Sequence, residues 1–200
     1  MFYIKSQEIL DKFFDFYHND AFFLTFYSSG DKMLPRKFKE VVTMVCAFTG
    51  HRKIAPEHRE KIGFALQNAI SHAYDLGCRQ FVAGGALGFD TEAARQVIRF
   101  RITHPDVSLI LFLPCIEQDA TWSDRQRNLY NYTLNCANEV KYISESYDSD
   151  CMRRRNYAMA EQCDIMIAYV SNPRSGSAQT VRRAKELGRE IYNLYPIVND

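Results

Sequence analysis

From Val41 onward the chain alternates between two hydrophobic periods, and this alternation limits the fold more than any other feature. Val41 to Phe48 is a continuous apolar, β-branched run, as expected of a strand covered on both faces. Pro56 then opens a segment in which Ile62, Leu66, Ala69, Ile70 and Ala73 share one helical face, and Gly77 closes it. Gln80 to Ala83 reads as a second strand, Thr91 to Arg101 as a helix stopped ahead of Pro105, and Val107 to Leu113 as a third strand. Helices over Trp122 to Asn135, Cys151 to Gln162 and Ser177 to Leu187 alternate with strands over Glu139 to Ile143, Asp164 to Val170 and Glu190 to Leu194. Short links between alternating elements predict an α/β chain: a Rossmann-like, doubly wound, mainly parallel sheet of about six strands with helices on both faces.

Residues 1–40 do not share this pattern. There 11 of the 40 residues are Phe or Tyr, and nothing resembles a phosphate loop. Ile9, Leu10, Phe13, Phe14 and Tyr17 fall at helical spacing, and Ala21 to Tyr27 forms a short apolar stretch. The expected organisation is an N-terminal extension over 1–40 and a ligand-binding domain over 41–200. A packing appendage, or sequence upstream of a start at Met33 or Met44, explains the extension more simply than a docking arm.

Charge and cysteine usage narrow the function. Lys plus Arg number 25 against 24 for Asp plus Glu, a net charge of +1. A dedicated duplex-DNA binder carries a larger basic excess, because neutralising phosphates supplies most of its affinity; a nucleic-acid partner is disfavoured. The closest cysteines in sequence, Cys151 and Cys163, are 12 positions apart, so no C-x-x-C knuckle or redox dithiol is present and no metal site is expected. The thiols read as free and mostly buried in a reducing compartment. No apolar run approaches the roughly 18 residues that span a bilayer, and the acidic residues of the first segment disfavour a signal peptide. A cytoplasmic protein without membrane contact is the expectation.

Chemistry is expected beyond the carboxyl ends of the strands, near the switch in strand order. The first strand runs into Thr49-Gly50-His51-Arg52. Gly50 admits close backbone approach, Arg52 supplies a permanently charged fork for phosphate, and His51 is a candidate phosphate donor or acid/base. The second strand ends in Gly84-Gly85-Ala86-Leu87-Gly88-Phe89-Asp90-Thr91, three glycines ahead of a helix N-terminus, as an anion-binding loop requires. Asp90 can cap that helix or accept from a ribose hydroxyl, with capping ahead. After the fifth strand, Gly176 and Ser177 offer backbone and hydroxyl donors, and Thr180 lies one turn further on. Arg153-Arg154-Arg155-Asn156 opens another helix against its macrodipole; Arg155 and Asn156 are the expected ligand contacts, Arg153 and Arg154 surface charge. Each loop alone is ordinary turn chemistry. Three at the ends of parallel strands point to a phosphate site.

Phe48-Thr49-Gly50-His51-Arg52, then Ala83-Gly84-Gly85-Ala86-Leu87-Gly88-Phe89-Asp90, then Met152, Arg155-Asn156 and Met159 resemble the YpsA-like branch of the SLOG superfamily. That superfamily includes the DNA-processing protein A fold and the LOG-type cytokinin-activating hydrolases. The resemblance spans about Val41 to Tyr195, with Gly176-Ser177 and Thr180 similar to the second glycine-rich loop. It implies a nucleotide-derived ligand such as ADP-ribose, NAD or AMP, and self-association into a homo-oligomer. The hydrolase loop Pro-Gly-Gly-x-Gly-Thr-x-x-Glu, laid on Gly176 to Thr180, puts Thr180 in the place of its glutamate.

The leading expectation is therefore a nucleotide-binding sensor or regulatory protein without chemistry of its own. One alternative is a nucleotide N-glycosidase or phosphoribohydrolase with Asp90 or Glu92 as general base. Another is a single-stranded DNA accessory factor, with the aromatic residues 1–40 for stacking. The binding reading predicts that Gly85→Asp and Arg52→Ala each abolish stabilisation by ligand while leaving the fold intact. Trp122 is expected to pack its helix rather than stack on a base.

Overall fold

A computed structural model describes residues 43–199. Strand β1 (Met44–Gly50) is buried from residue 45 to 49, and its alternate side chains enter two different cores. Cys46 and Phe48 enter one, Val45 and Ala47 the other, which is why its sequence is apolar from Met44 to Phe48. The strand ends later than the apolar run that predicts it. Thr49 and Gly50 stay in the ladder opposite Ala168 and Tyr169, so backbone pairing carries the strand past its last large side chain.

A 3-10 turn (Pro56–His58) leads from β1 into α1 (Arg59–Asp75), followed by β2 (Cys78–Ala83), α2 (Phe89–Phe100), β3 (Ser108–Leu113) and α3 (Asp124–Cys136). The chain continues through β4 (Glu139–Tyr142), α4 (Cys151–Gln162), β5 (Ile165–Tyr169), α5 (Gly176–Glu186), β6 (Glu190–Asn193) and α6 (Leu194–Asn199). The sheet runs β4-β3-β2-β1-β5-β6, and every neighbouring pair is parallel. The strands build outward from β1 to β4, then the chain returns to lay β5 on the other side of β1. The switch in winding direction falls between β1 and β5, where such sheets open a crevice beyond the strand ends.

Helices cover both faces. Leu66 and Ile70 of α1, Ala93 and Val97 of α2, Tyr130 of α3 and Val198 of α6 pack on one. Met159 and Ala160 of α4 and Ala184 of α5 pack on the other. The Rossmann-like α/β fold expected from the alternation is the fold found.

Three boundaries differ from expectation for physical reasons. Helix α2 starts at Phe89, with Gly88 at its N-cap and no side-chain cap; Asp90 is inside the first turn, so it does not cap. Helix α3 starts after Trp122, because Ser123 and Gln126 form a reciprocal capping box. Helix α6 follows β6 with no loop; its Pro196 stands in the first turn, where a missing N–H leaves no hydrogen bond unmade. The expected helix within residues 1–40 lies outside the described residues. No described helix is long and apolar enough to cross a membrane.

Candidate functional site

The glycines of the second loop have distinct tasks. A Cβ on Gly84 would overlap the Arg155 guanidinium and lie 2.6 Å from Asp90 Oδ2, so this glycine makes room for a charge pair. Gly85 has φ +63° and would drive a Cβ to 2.5 Å from Leu113 Cδ2; its carbonyl accepts from Gln118 Nε2 at 3.1 Å. Gly88, φ +81°, lies against the backbone of Arg52, and the next amide, Phe89 N–H, donates to the His51 carbonyl at 3.1 Å. The loop is thus pressed onto the end of β1. Gly50 belongs to the same contact, since a Cβ there would sit 2.5 Å from the Phe89 ring. Gly85→Asp therefore disrupts packing and backbone geometry, and does not leave the fold intact as the sequence predicts.

Asp90 and Arg155 form an ion pair at 3.3 Å, and each residue is only 5% exposed. Burial pushes the Asp90 carboxyl up from its ordinary value, opposed by the Arg155 charge and the backbone of Ala86 and Gly84. Burial pushes Arg155 down; Asp90 opposes this, and the nearby Arg52 charge adds to it. Arg155 Nε is buried with no hydrogen-bond partner. The neighbouring arginines differ from it, as expected. Arg153 pairs with Asp150 at 2.8 Å and Arg154 with Asp148 at 2.6 Å, both at the surface.

Arg155 lines a cavity of about 310 Å³ over the β1–β5 switch point, together with Thr49, Arg52, Asn156, Gly176 and Ser177. Arg52 is exposed there, its guanidinium donating only to the Met152 sulfur, at 3.8 Å, among the described residues. Gly176, the first residue of α5, faces open space: a Cβ would meet nothing nearer than Asn156 Nδ2 at 4.0 Å. Ser175 caps that helix by accepting from Ala178 N–H at 3.1 Å. The amides of Gly176 and Ser177 have no acceptor among the described residues.

Not every expected residue offers a free group. The Ser177 hydroxyl donates to the Gly50 carbonyl at 2.7 Å, tying α5 to β1. Thr180 is fully buried, its hydroxyl donating to the Gly176 carbonyl at 3.0 Å; it does not face the cavity. His51 Nε2 accepts the Ser171 N–H at 2.8 Å. A backbone N–H can only donate, so the ring proton is on Nδ1 and the imidazole is neutral; burial lowers its pKa accordingly. Glu92 lies apart from this cavity, paired with Arg95 at 2.9 Å and accepting from Gln96 at 2.7 Å.

A wider trough of about 940 Å³ adjoins the cavity through His51 and Arg52 and carries Lys53, Arg59, Arg95 and Tyr195. Sequence reasoning missed these basic residues, although Lys53 stands beside Arg52 and was open to the same reading. Among the described residues no cluster of His, Cys, Asp or Glu could hold a metal ion.

The YpsA family model, described as the YspA SLOG family, matches residues 47–198. The chain belongs to this SLOG family. Its similarity to the SPbeta prophage-derived protein YoqJ of Bacillus subtilis is 29% identity over 134 residues, 60% of this chain and 78% of that protein. A UPF0398 protein of Bacillus thuringiensis is 27% identical over 138 residues, 68% of this chain and 75% of its own. Among solved structures, DNA processing protein A from Streptococcus pneumoniae superposes with a TM-score of 0.54 at 20% identity. The corresponding protein from Helicobacter pylori, described with a single-stranded DNA binding mode, gives 0.54 at 19% identity. The chain covers 50% of the first and 63% of the second, and at these identities the likeness is one of fold. The SLOG resemblance and the Rossmann-like architecture expected from the sequence both hold.

Proposed function

We propose that this SLOG-family chain binds the phosphate of a nucleotide-derived ligand, of the AMP, NAD or ADP-ribose type, in the 310 Å³ cavity at the β1–β5 switch point. The observation that carries the reading is Arg155 Nε, buried and without a partner beside an exposed Arg52. A buried donor left unpaired costs about 1–3 kcal/mol, and an anion placed between the two guanidiniums removes that cost and their mutual repulsion. The open Gly176 and Ser177 amides at the α5 N-terminus supply further donors, the arrangement by which helix starts hold anions. Among the described residues Asp90 is the cavity's sole carboxylate and is committed to Arg155, which favours binding over general-base chemistry.

The test is ligand-dependent thermal stabilisation by ADP-ribose. Arg52 is exposed, so Arg52→Ala keeps the parent's unliganded Tm. Loss of one charge-assisted contact weakens binding by about 1.5–3 kcal/mol, roughly ten- to a hundredfold in Kd. Equal stabilisation of parent and variant overturns the site. Release of free base from AMP, NAD or ADP-ribose by the purified chain would replace binding with N-glycosidase activity.

A second reading rests on the basic trough. Lys53 and Arg59 continue the positive charge of Arg52 away from the cavity, while Arg95 is paired there with Glu92; such a basic track suits a single-stranded nucleic-acid backbone. It gains from the binding mode described for the Helicobacter pylori protein. A gel shift of labelled single strands at low salt that weakens steeply as salt rises supports it; no shift at low salt removes it.

A further inference from the structure

The phosphate cavity does not end at Met152. Arg52, Ala86 and Met152 also line a second cavity of about 450 Å³, whose other walls include Trp122, Tyr147 and Gln118. We infer that this cavity is a nucleobase subsite, in which the base of a bound nucleotide stacks on Tyr147 and Trp122. The inference rests on the proposed phosphate site and extends it from an anion to a nucleotide.

Its walls match a planar, aromatic, partly polar group. Tyr147 is 65% exposed and has neither a hydrogen bond nor an aromatic neighbour among the described residues; water bathes a ring whose face is free. Trp122 is half-buried, held against the core and fixed by a T-shaped contact with Tyr130 at 5.3 Å between ring centroids. The capping box after it keeps the indole outside α3, where it borders the cavity instead of lying on the helix surface. Gln118 is anchored to the glycine loop through its bond to the Gly85 carbonyl, which ties one wall of this cavity to the turn that carries Ala86, a residue common to both cavities. Packing and stacking are thus compatible for Trp122, which packs against the core and also lines the cavity.

Trp122 is the chain's only tryptophan, so intrinsic tryptophan emission reports on this subsite alone. Inorganic phosphate, ribose 5-phosphate and AMP are titrated into the full chain, with binding followed by calorimetry and by emission. AMP is expected to quench the emission saturably and to bind about tenfold tighter than ribose 5-phosphate, the low end of what stacking contributes. Tyr147→Ala, at an exposed position, brings AMP close to the affinity of ribose 5-phosphate and leaves ribose 5-phosphate unchanged. If AMP and ribose 5-phosphate bind equally with emission unaltered, the base subsite is refuted while the phosphate site stands. If none of the three compounds binds, both fall together.

Discussion

Asp90 and Arg155 stand 65 residues apart in the chain and meet in a space that exists because residue 84 has no side chain. Their pairing has no local signal. The sequence marks each as a candidate through its loop or helix start, but the partner of a buried charge is set by how α2 and α4 pack against the sheet. That explains why Asp90 reads as a cap and is found as a counter-ion. Gly84→Ala is expected to lower stability by about 1–3 kcal/mol, the ordinary range of overpacking, because the inserted methyl pushes the Arg155 guanidinium toward the cavity and disturbs its pairing with Asp90; chemical denaturation measures it. Asp90→Asn leaves the guanidinium buried without its counter-charge, a loss of about 3–5 kcal/mol. An anion in the cavity partly replaces the missing carboxylate. Saturating phosphate should therefore raise the Tm of Asp90→Asn more than that of the parent, and an equal or smaller rise would separate Arg155 from the anion site.

Between elements, the crevice is kept in shape by clips that cross the switch point. Ser177 holds α5 to the end of β1, and His51 holds the end of β1 to the turn after β5. The second clip needs a neutral imidazole. Since the folded state lowers the His51 pKa from 6.5, the unfolded chain takes up the proton first. The clip's stabilisation is present above pH 6.5 and fades as the pH falls through that value toward the folded pKa. His51→Gln offers a carbonyl that accepts the same N–H and does not titrate, so its Tm should vary less with pH below 6.5 than the parent's; parallel curves would show that the clip contributes nothing. Most elements are legible from period and punctuation. Residues 151 to 162 form the helix that the pattern predicts, and the second to sixth strands fall within a few residues of expectation. What the pattern does not show is where hydrogen bonds overrule hydropathy: Thr49 and Gly50 drawn into β1 by β5, Trp122 excluded from α3 by the capping box, and α6 following β6 without a polar break. The loops are legible as glycine-rich turns at the ends of the strands. The use of the Ser177 and Thr180 hydroxyls is not, because each is consumed by a carbonyl that only the folded chain brings within reach.

At the level of the whole domain, the two apolar layers leave little of the sheet accessible to water, and the cysteines report on that directly. Cys46, Cys78, Cys115, Cys151 and Cys163 are buried, whereas Cys136, the last residue of α3, is partly exposed. Burial also removes the reactive form: it pushes Cys78 up to about 11 and Cys163 up to about 12, so thiolate is scarce at neutral pH. Reaction of the native chain with a thiol-specific disulfide reagent should consume one thiol quickly, and all six after denaturation. Cys136→Ser should remove the fast phase without altering the slow one. The slow phase then measures opening of the layers, because the reagent reaches Cys46 only when the α1 and α2 layer opens and Cys163 only when the α4 and α5 layer opens. ADP-ribose bound in the crevice as proposed would stabilise the closed state, so a concentration that just saturates the parent should slow that phase there and slow it less in Arg52→Ala. An unslowed phase in the parent would mean that the crevice and the sheet beneath it open independently, and that the proposed phosphate cavity is not coupled to the stability of the fold that builds it.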